Sequence, residues 1–391
     1  MPTPTQHPGR NFIVPCLLSA LFPFYAFFQM TVLNALAENR IQVLHLSQTG
    51  LGMLSSAYLY GDAFLLIPAG IILDRMNARN SMLVAFLSLL VSSSVFYFTN
   101  SFFLSTLARF VAGMAHAFAL ISCFRLAALY IPNNKQGIVI SWMLTIAFLG
   151  GFFAQSPFVW LLQTIGLRNS AILQTMMGIV IFLILYFKIN LPRTEFSEHA
   201  KKTNVFSQLF SALKNPENTL SAIYIALMSV PFMLLGALFG MEYLLHNKQL
   251  DSMAASEIVS LIFIGIIMGS PFFGWLYDQV QSKKRVMMTG VALTFISCWA
   301  AFHATHFIWL LFFAIGFFSS AQVLGYPVIS TSNSKEIVGA AMGFANFFIM
   351  LLLGCLQLAT GSLATHFSLE SSLSWVIGIS CFLSALCVVL L

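Results

Sequence analysis

Apolar runs long enough to cross a bilayer recur along this chain, and they leave almost no other architecture open. A hydrocarbon core of about 30 Å takes roughly 20 helical residues. Runs of that order lie near 12–36, 51–73, 81–99, 102–130, 137–161, 171–190, 218–245, 255–277, 286–303, 306–330, 337–364 and 371–391. Backbone N–H and C=O groups in lipid must be satisfied internally, which restricts spanning segments to helices and closed barrels. Barrel strands alternate polar and apolar residues, and these runs do not. Only 8% of the 391 residues are charged, against about 25% in a soluble domain, so much of the surface faces lipid. The expected fold is an all-α polytopic membrane protein of about 12 transmembrane helices in two parallel six-helix repeats.

Two features invite other readings. Residues 12–33 followed by Ala35-Leu36-Ala37 look like a secretory leader. A leader's apolar region runs only about 7–15 residues, whereas this run is longer and contains Pro23 and Gln29, so a retained first span is expected. The net charge of +6 comes from Lys and Arg placed unevenly between the runs. With the N-terminus inside, one side holds Arg10, Arg75, Arg79, Lys135, Lys188, Arg193, Lys201, Lys202, Lys214, Lys283, Lys284, Arg285 and Lys335. The other side holds Arg40, Arg168 and Lys248. That asymmetry predicts both termini in the cytoplasm and explains the charge without nucleic acid. Residues 1–190 and 218–391 are expected as two bundles, joined by a cytoplasmic linker at 191–217 whose segment Phe206–Leu213 is mildly amphipathic.

The halves repeat. Gly70 and Asp74, after the second run, recur as Gly274 and Asp278 after the eighth, both 204 residues on. Gly113 and Gly316 are separated by 203 residues, and Lys135 and Lys335 by 200. An even number of spans per half makes the repeats parallel, related by an axis along the membrane normal.

The loop Gly70-Ile-Ile-Leu-Asp74-Arg75-Met-Asn-Ala-Arg79 resembles the signature loop of the major facilitator superfamily, and Leu107-Ala-Arg109-Phe-Val-Ala-Gly113 resembles that superfamily's second motif. The second-half loop departs from the pattern at Gln279. The resemblance implies alternating-access transport, with Gly70, Asp74, Arg75, Arg79, Gly274 and Asp278 as a cytoplasmic gate. It also implies that spans 1, 4, 7 and 10 line the cavity. Phe28-Gln29-Met30, Asn34-Ala35, Ala57–Asp62, Ala154–Pro157, Ser319–Gln322 and Tyr326-Pro327 look like the phagosomal transporter branch of intracellular bacteria, which implies an amino-acid or nucleoside solute in a bacterial inner membrane. Efflux, siderophore or organic-acid transport on the same fold, or a non-transporting sensor, are the alternatives.

Ionisable residues inside spans mark candidate coupling groups, because each costs about 2.5–3.5 kcal/mol on insertion scales. Asp62 and Arg109 are expected at similar depths, and a pair between them is geometrically possible. Their repeat positions carry Ile266 and Phe312, so the charges belong to one half. His116 shares a helix face with Arg109 and could relay a proton. Tyr25, Gln29, Gln155, Gln322, Tyr326 and Asn346 are the candidate substrate contacts. Glu38 and Glu242, 204 residues apart near outer helix ends, read as a rim.

Nothing points to catalysis. The six cysteines lie in apolar runs without metal-site spacing, and no P-loop, H-E-x-x-H or G-x-S-x-G occurs. The expectation is a monomer without cofactor or metal that exchanges a small solute and protons across lipid.

Overall fold

The computed structural model describes residues 13–75, 78–189, 212–280, 282–334 and 337–391. Residues 190–211, which include most of the expected linker and of Phe206–Leu213, lie outside the described residues, as do Arg10, Lys335 and the side chains of Asp74 and Arg75.

Those residues fold into helices, with no strand among them. Eleven stretches are long and apolar enough to cross a membrane. One of them, Ile138–Lys188, runs 51 residues, far beyond what a bilayer needs. Gly166 divides it, with φ 77° and ψ 167°. Glycine alone takes up such a conformation without strain, and the split yields twelve spans. In order they are Ile13–Leu44, Gln48–Gly70, Ala78–Phe98, Phe102–Tyr130, a fifth ending at 165, a sixth from 167, then Pro216–Ala237, Ser252–Gln279, Lys283–His303, Ile308–Thr331, Val338–His366 and Leu369–Leu390. Several starts are capped by the side chains that favour them. Ser101 accepts from Leu104 N, and Asp251 accepts from Met253 N and Ala254 N at 2.9 Å each.

The seventh span is shorter than its apolar run. It stops at Ala237, and the chain re-enters a short helix at Gly240–His246. Two further breaks fall where glycine and proline cluster. The fifth span is interrupted at 154–155, ahead of Pro157, and the tenth tightens to a 3₁₀ turn at Ser320–Leu324, ahead of Pro327. Proline lacks the N–H that would continue the ladder.

The repeat extends into packing. Spans 2 and 4 cross at Gly61 and Gly113. A Cβ at Gly61 would meet Phe110 O at 2.0 Å, and one at Gly113 would meet Tyr58 O at 1.9 Å. Spans 8 and 10 cross the same way, with Gly265 against Phe313 O at 2.3 Å and Gly316 against Ile262 O at 2.0 Å. Small residues let helix backbones touch where lipid supplies no hydrophobic drive. Gly61 and Gly265 stand 204 residues apart, the offset of the loop motif.

Candidate functional site

The Gly61–Gly113 crossing sets what lies beside it. Asp62 follows Gly61 and is 1% exposed; His116 stands one helical turn below Gly113 and is 5% exposed. Asp62 Oδ2 lies 2.8 Å from His116 Nδ1. At that distance the two side chains are hydrogen-bonded. Asp62 Oδ1 and His116 Nε2 have no partner among the described residues, so each group keeps one polar atom for another donor or acceptor. Aromatic rings close the surroundings. Phe27 meets the imidazole edge-on at 5.3 Å and Tyr58 lies at 5.6 Å.

Arg109 takes a different place from the one its depth suggested. It does not hold Asp62 but forks onto backbone carbonyls of two spans. Nε donates to Leu54 O at 3.2 Å, Nη1 to Gln29 O at 2.5 Å and Nη2 to Met30 O at 3.1 Å. Its guanidinium also sits 4.7 Å from the Tyr58 ring centroid. This geometry uses the planar, five-donor character of arginine. In the other half the equivalent residues Ile266 and Phe312 are fully buried, and Ser319 stands at the position of His116. The scaffold therefore packs with or without these polar groups.

The substrate candidates divide into separate groups. Tyr25 and Gln29 converge on Gln174 Oε1, at 3.0 and 2.5 Å, inside the first half between spans 1 and 6. Gln155, at the break in span 5, donates to Thr31 O at 3.2 Å and accepts from Asn34. In the second half Gln322 accepts from Ser229, and Tyr326 donates to Asn346 Oδ1 at 2.9 Å in a half-buried position.

The sequence reading missed Asn34. From span 1 it reaches the turn that ends span 7, donating to Gly236 O at 3.0 Å and Leu235 O at 3.3 Å and accepting from Met241 N at 3.0 Å. Other links between the halves lie at the same end of the bundle. Gln48 donates to Glu242, Thr49 to Gly361 O, Ser56 to Gly354 O and Ser156 N to Ser260 Oγ. This end, bearing the connections at 45–47 and 247–251, is sealed. The signal for it was Asn34 itself, a side-chain amide within the apolar run 12–36.

The residues expected to form a gate lie at the opposite end. A Cβ at Gly70 or Gly274 would meet nothing within 4 Å. Arg79 donates to Tyr186 O at 2.5 Å and stacks on that ring, a contact within its own half. Asp278 is exposed.

The family model of the Major Facilitator Superfamily matches residues 17–249 and 222–391. The chain belongs to the major facilitator superfamily. Its relatives include the probable galactarate/D-glucarate transporter GudP of Escherichia coli, 21% identical, covering 78% of this chain and 76% of that protein. The gallate transporter of Pseudomonas putida is 23% identical and covers 95% and 82%. Among solved structures, a bacterial homologue of the human lysosomal transporter Spinster superposes with a TM-score of 0.76 at 15% identity, over 98% of this chain and 96% of that one. A D-xylose–proton symporter superposes equally well at 14% identity, over 97% of each. The nucleoside transporter NupG gives 0.73 at 15% identity, over 97% and 98%. The chain is thus a multi-pass transporter of the superfamily and not an enzyme.

Proposed function

We propose that this chain is a proton-coupled secondary transporter that moves a small polar metabolite, with an amino acid or nucleoside favoured, by alternating access in a bacterial inner membrane with both termini cytoplasmic. The observation that carries the coupling is the Asp62–His116 contact at 2.8 Å, with both groups buried and one polar atom of each still unpartnered. A carboxyl and an imidazole that share a proton can take up or release it when their surroundings change. Arg109 acts as a positioning residue. By fixing spans 1 and 2 at Gln29, Met30 and Leu54, it couples movement of span 1 to the helix that carries Asp62.

The sealed end is read as the outer face, held by Asn34 and Gln48. The space beside Gly70 and Gly274 then corresponds to an opening on the cytoplasmic side. In the alternate state, closure there would bring the loop carrying Asp74 and Arg75, and its counterpart at Asp278, against the opposite half. Tyr326, Asn346 and Gln322 offer hydroxyl and amide groups on spans 10 and 11 for the solute. Tyr25 and Gln29 are bonded to Gln174, and Gln155 to Asn34 and the Thr31 carbonyl, so these three are read as fixing helices. A symport of protons and solute by a monomer accounts for these features. Transport of an organic acid is the second reading, favoured by the likeness to the galactarate/D-glucarate and gallate transporters.

Reconstituted into proteoliposomes, the protein should accumulate one of these solute classes when an inward pH gradient is imposed. Uptake that needs no gradient, or none of any class, would count against the proposal.

A further inference from the structure

The sealed end carries a feature that coupling does not use. A cavity of about 380 Å³ opens between spans 1, 2, 5 and 8 and the short helix Gly240–His246. That volume lies in the range of small-molecule sites, roughly 300–1,000 Å³. Its polar lining is rich in acceptors. Glu38 comes from span 1, Gln48 from the start of span 2, Gln163 from span 5 and Glu242 from the short helix.

Glu242 is the informative residue. It is 8% exposed. Oε1 accepts from Gln48 Nε2, whereas Oε2 has no partner among the described residues, and neither has Oε1 of Gln48. This bonded pair of side chains thus holds two buried acceptor atoms without a donor among the described residues. A buried acceptor left unsatisfied costs about 1–3 kcal/mol, so the place favours a ligand that brings N–H groups. An ammonium group brings three and carries no acceptor.

Charge points the same way. Arg40 and Lys248, the nearest arginine and lysine in the chain, are committed elsewhere, which leaves His246 as the basic side chain in the cavity lining. Arg40 donates to Thr99 O and Tyr97 O, and Lys248 to Phe302 O and Ala304 O. Burial pushes the Glu242 carboxyl above the usual range; Gln48 and His246 lower it, and Glu38 raises it. Spans 5 and 8 add Gln163 and Ser252 to the lining, neither of them charged. A cation would relieve both the burial of Glu242 and its repulsion from Glu38.

We infer that this vestibule is a binding subsite for the ammonium group of a small amine or zwitterion, with Glu242, Gln48 and Glu38 as its acceptors. Its place on a solute's route rests on the transport reading; the binding does not. Because Glu38 and Glu242 are repeat mates, the acceptors come from both halves, and a bound ammonium would bridge them.

The test is equilibrium binding of n-butylammonium to the purified full-length protein, read by saturation-transfer magnetic resonance, with butan-1-ol and butyrate as the neutral and anionic analogues. Butylammonium should bind saturably and at least tenfold more tightly than either analogue. Glu242→Gln should weaken it about tenfold or more, as expected on losing a charge-assisted contact. Glu38→Gln, on the exposed rim, should weaken it by about two- to threefold. Affinity should fall as pH is lowered through the raised range of Glu242, since protonation removes the acceptor. Equal binding of butylammonium and butan-1-ol overturns the inference, as does an unchanged affinity in Glu242→Gln. If Glu242→Gln does not fold, the analogue series and the pH profile on the unaltered protein decide it. The measurement uses no gradient, so binding without uptake refutes transport alone, and uptake without selective binding refutes the subsite alone.

Discussion

Replacing Asp62 by asparagine separates coupling from solute movement. On the proposed reading the Asp62–His116 pair, 2.8 Å apart, is the coupling site and carries one proton per cycle. A proton moved across one pH unit releases about 1.4 kcal/mol, which is tenfold in solute concentration. The unaltered protein should therefore accumulate solute about tenfold per unit of imposed gradient. Asp62→Asn should accumulate it about onefold while still exchanging labelled for unlabelled solute at equal pH. The substitution also removes a charge-assisted hydrogen bond worth about 1.5–3 kcal/mol, so its thermal transition should drop. The double change Asp62→Ile with His116→Ser copies Ile266 and Ser319 of the other half. It should recover most of that stability, because removing both partners together leaves no unpaired buried group, yet it should remain uncoupled. Accumulation and exchange are both read by filter assay with radiolabelled solute in proteoliposomes. Tenfold accumulation by Asp62→Asn would refute the reasoning and leave the pair a packing device. Loss of exchange in a folded Asp62→Asn would place the residue in solute binding instead.

Other substitutions probe the parts around this pair. Arg109→Lys keeps the charge but loses the fork onto Leu54, Gln29 and Met30 carbonyls; stability should fall by about 2–4 kcal/mol, seen as a lower transition temperature in detergent. Gly113→Ala would put a methyl 1.9 Å from Tyr58 O and Gly316→Ala one 2.0 Å from Ile262 O; both should reduce folded yield on size exclusion, whereas Gly70→Ala, with nothing within 4 Å, should not. Asn34→Leu removes three bonds between the halves, each worth about 0.6 kcal/mol in a membrane protein. The sealed end should open roughly twentyfold more often, measured as maleimide labelling of Val159→Cys in a background lacking the native cysteines.

Much of the fold was legible because lipid imposes it. Apolar runs give spans, and the shared offset of Gly70, Asp74 and Gly113 gives the repeat. The boundaries were less so: periodicity could not show that the apolar run through 245 breaks after Ala237, since both sides of the turn are apolar. The candidate site was half legible. Asp62, Arg109 and His116 were visible as charges where charge is costly, but the partner of Asp62 was not. The relative depth of Asp62 and Arg109 depends on the lengths of spans 2 and 4, and the observed bounds of span 2 differ from the sequence-based ones. Counted from the same end, Asp62 lies fourteen residues from Gln48 and His116 fourteen from Phe102, while Arg109 lies seven. The glycine crossing, which fixes that register, was the signal available. Tyr25 and Gln29 were read as substrate contacts, but that they meet Gln174 depends on how six helices pack, which no single span encodes.

The central claim is that solute and proton move together. Proteoliposomes loaded with a pH-sensitive dye, at equal pH on both sides, test it most directly. Adding the transported solute outside should acidify the lumen by one proton per solute taken up, and Asp62→Asn should give exchange with no acidification. Solute uptake by the unaltered protein with no change in lumen pH would contradict the account.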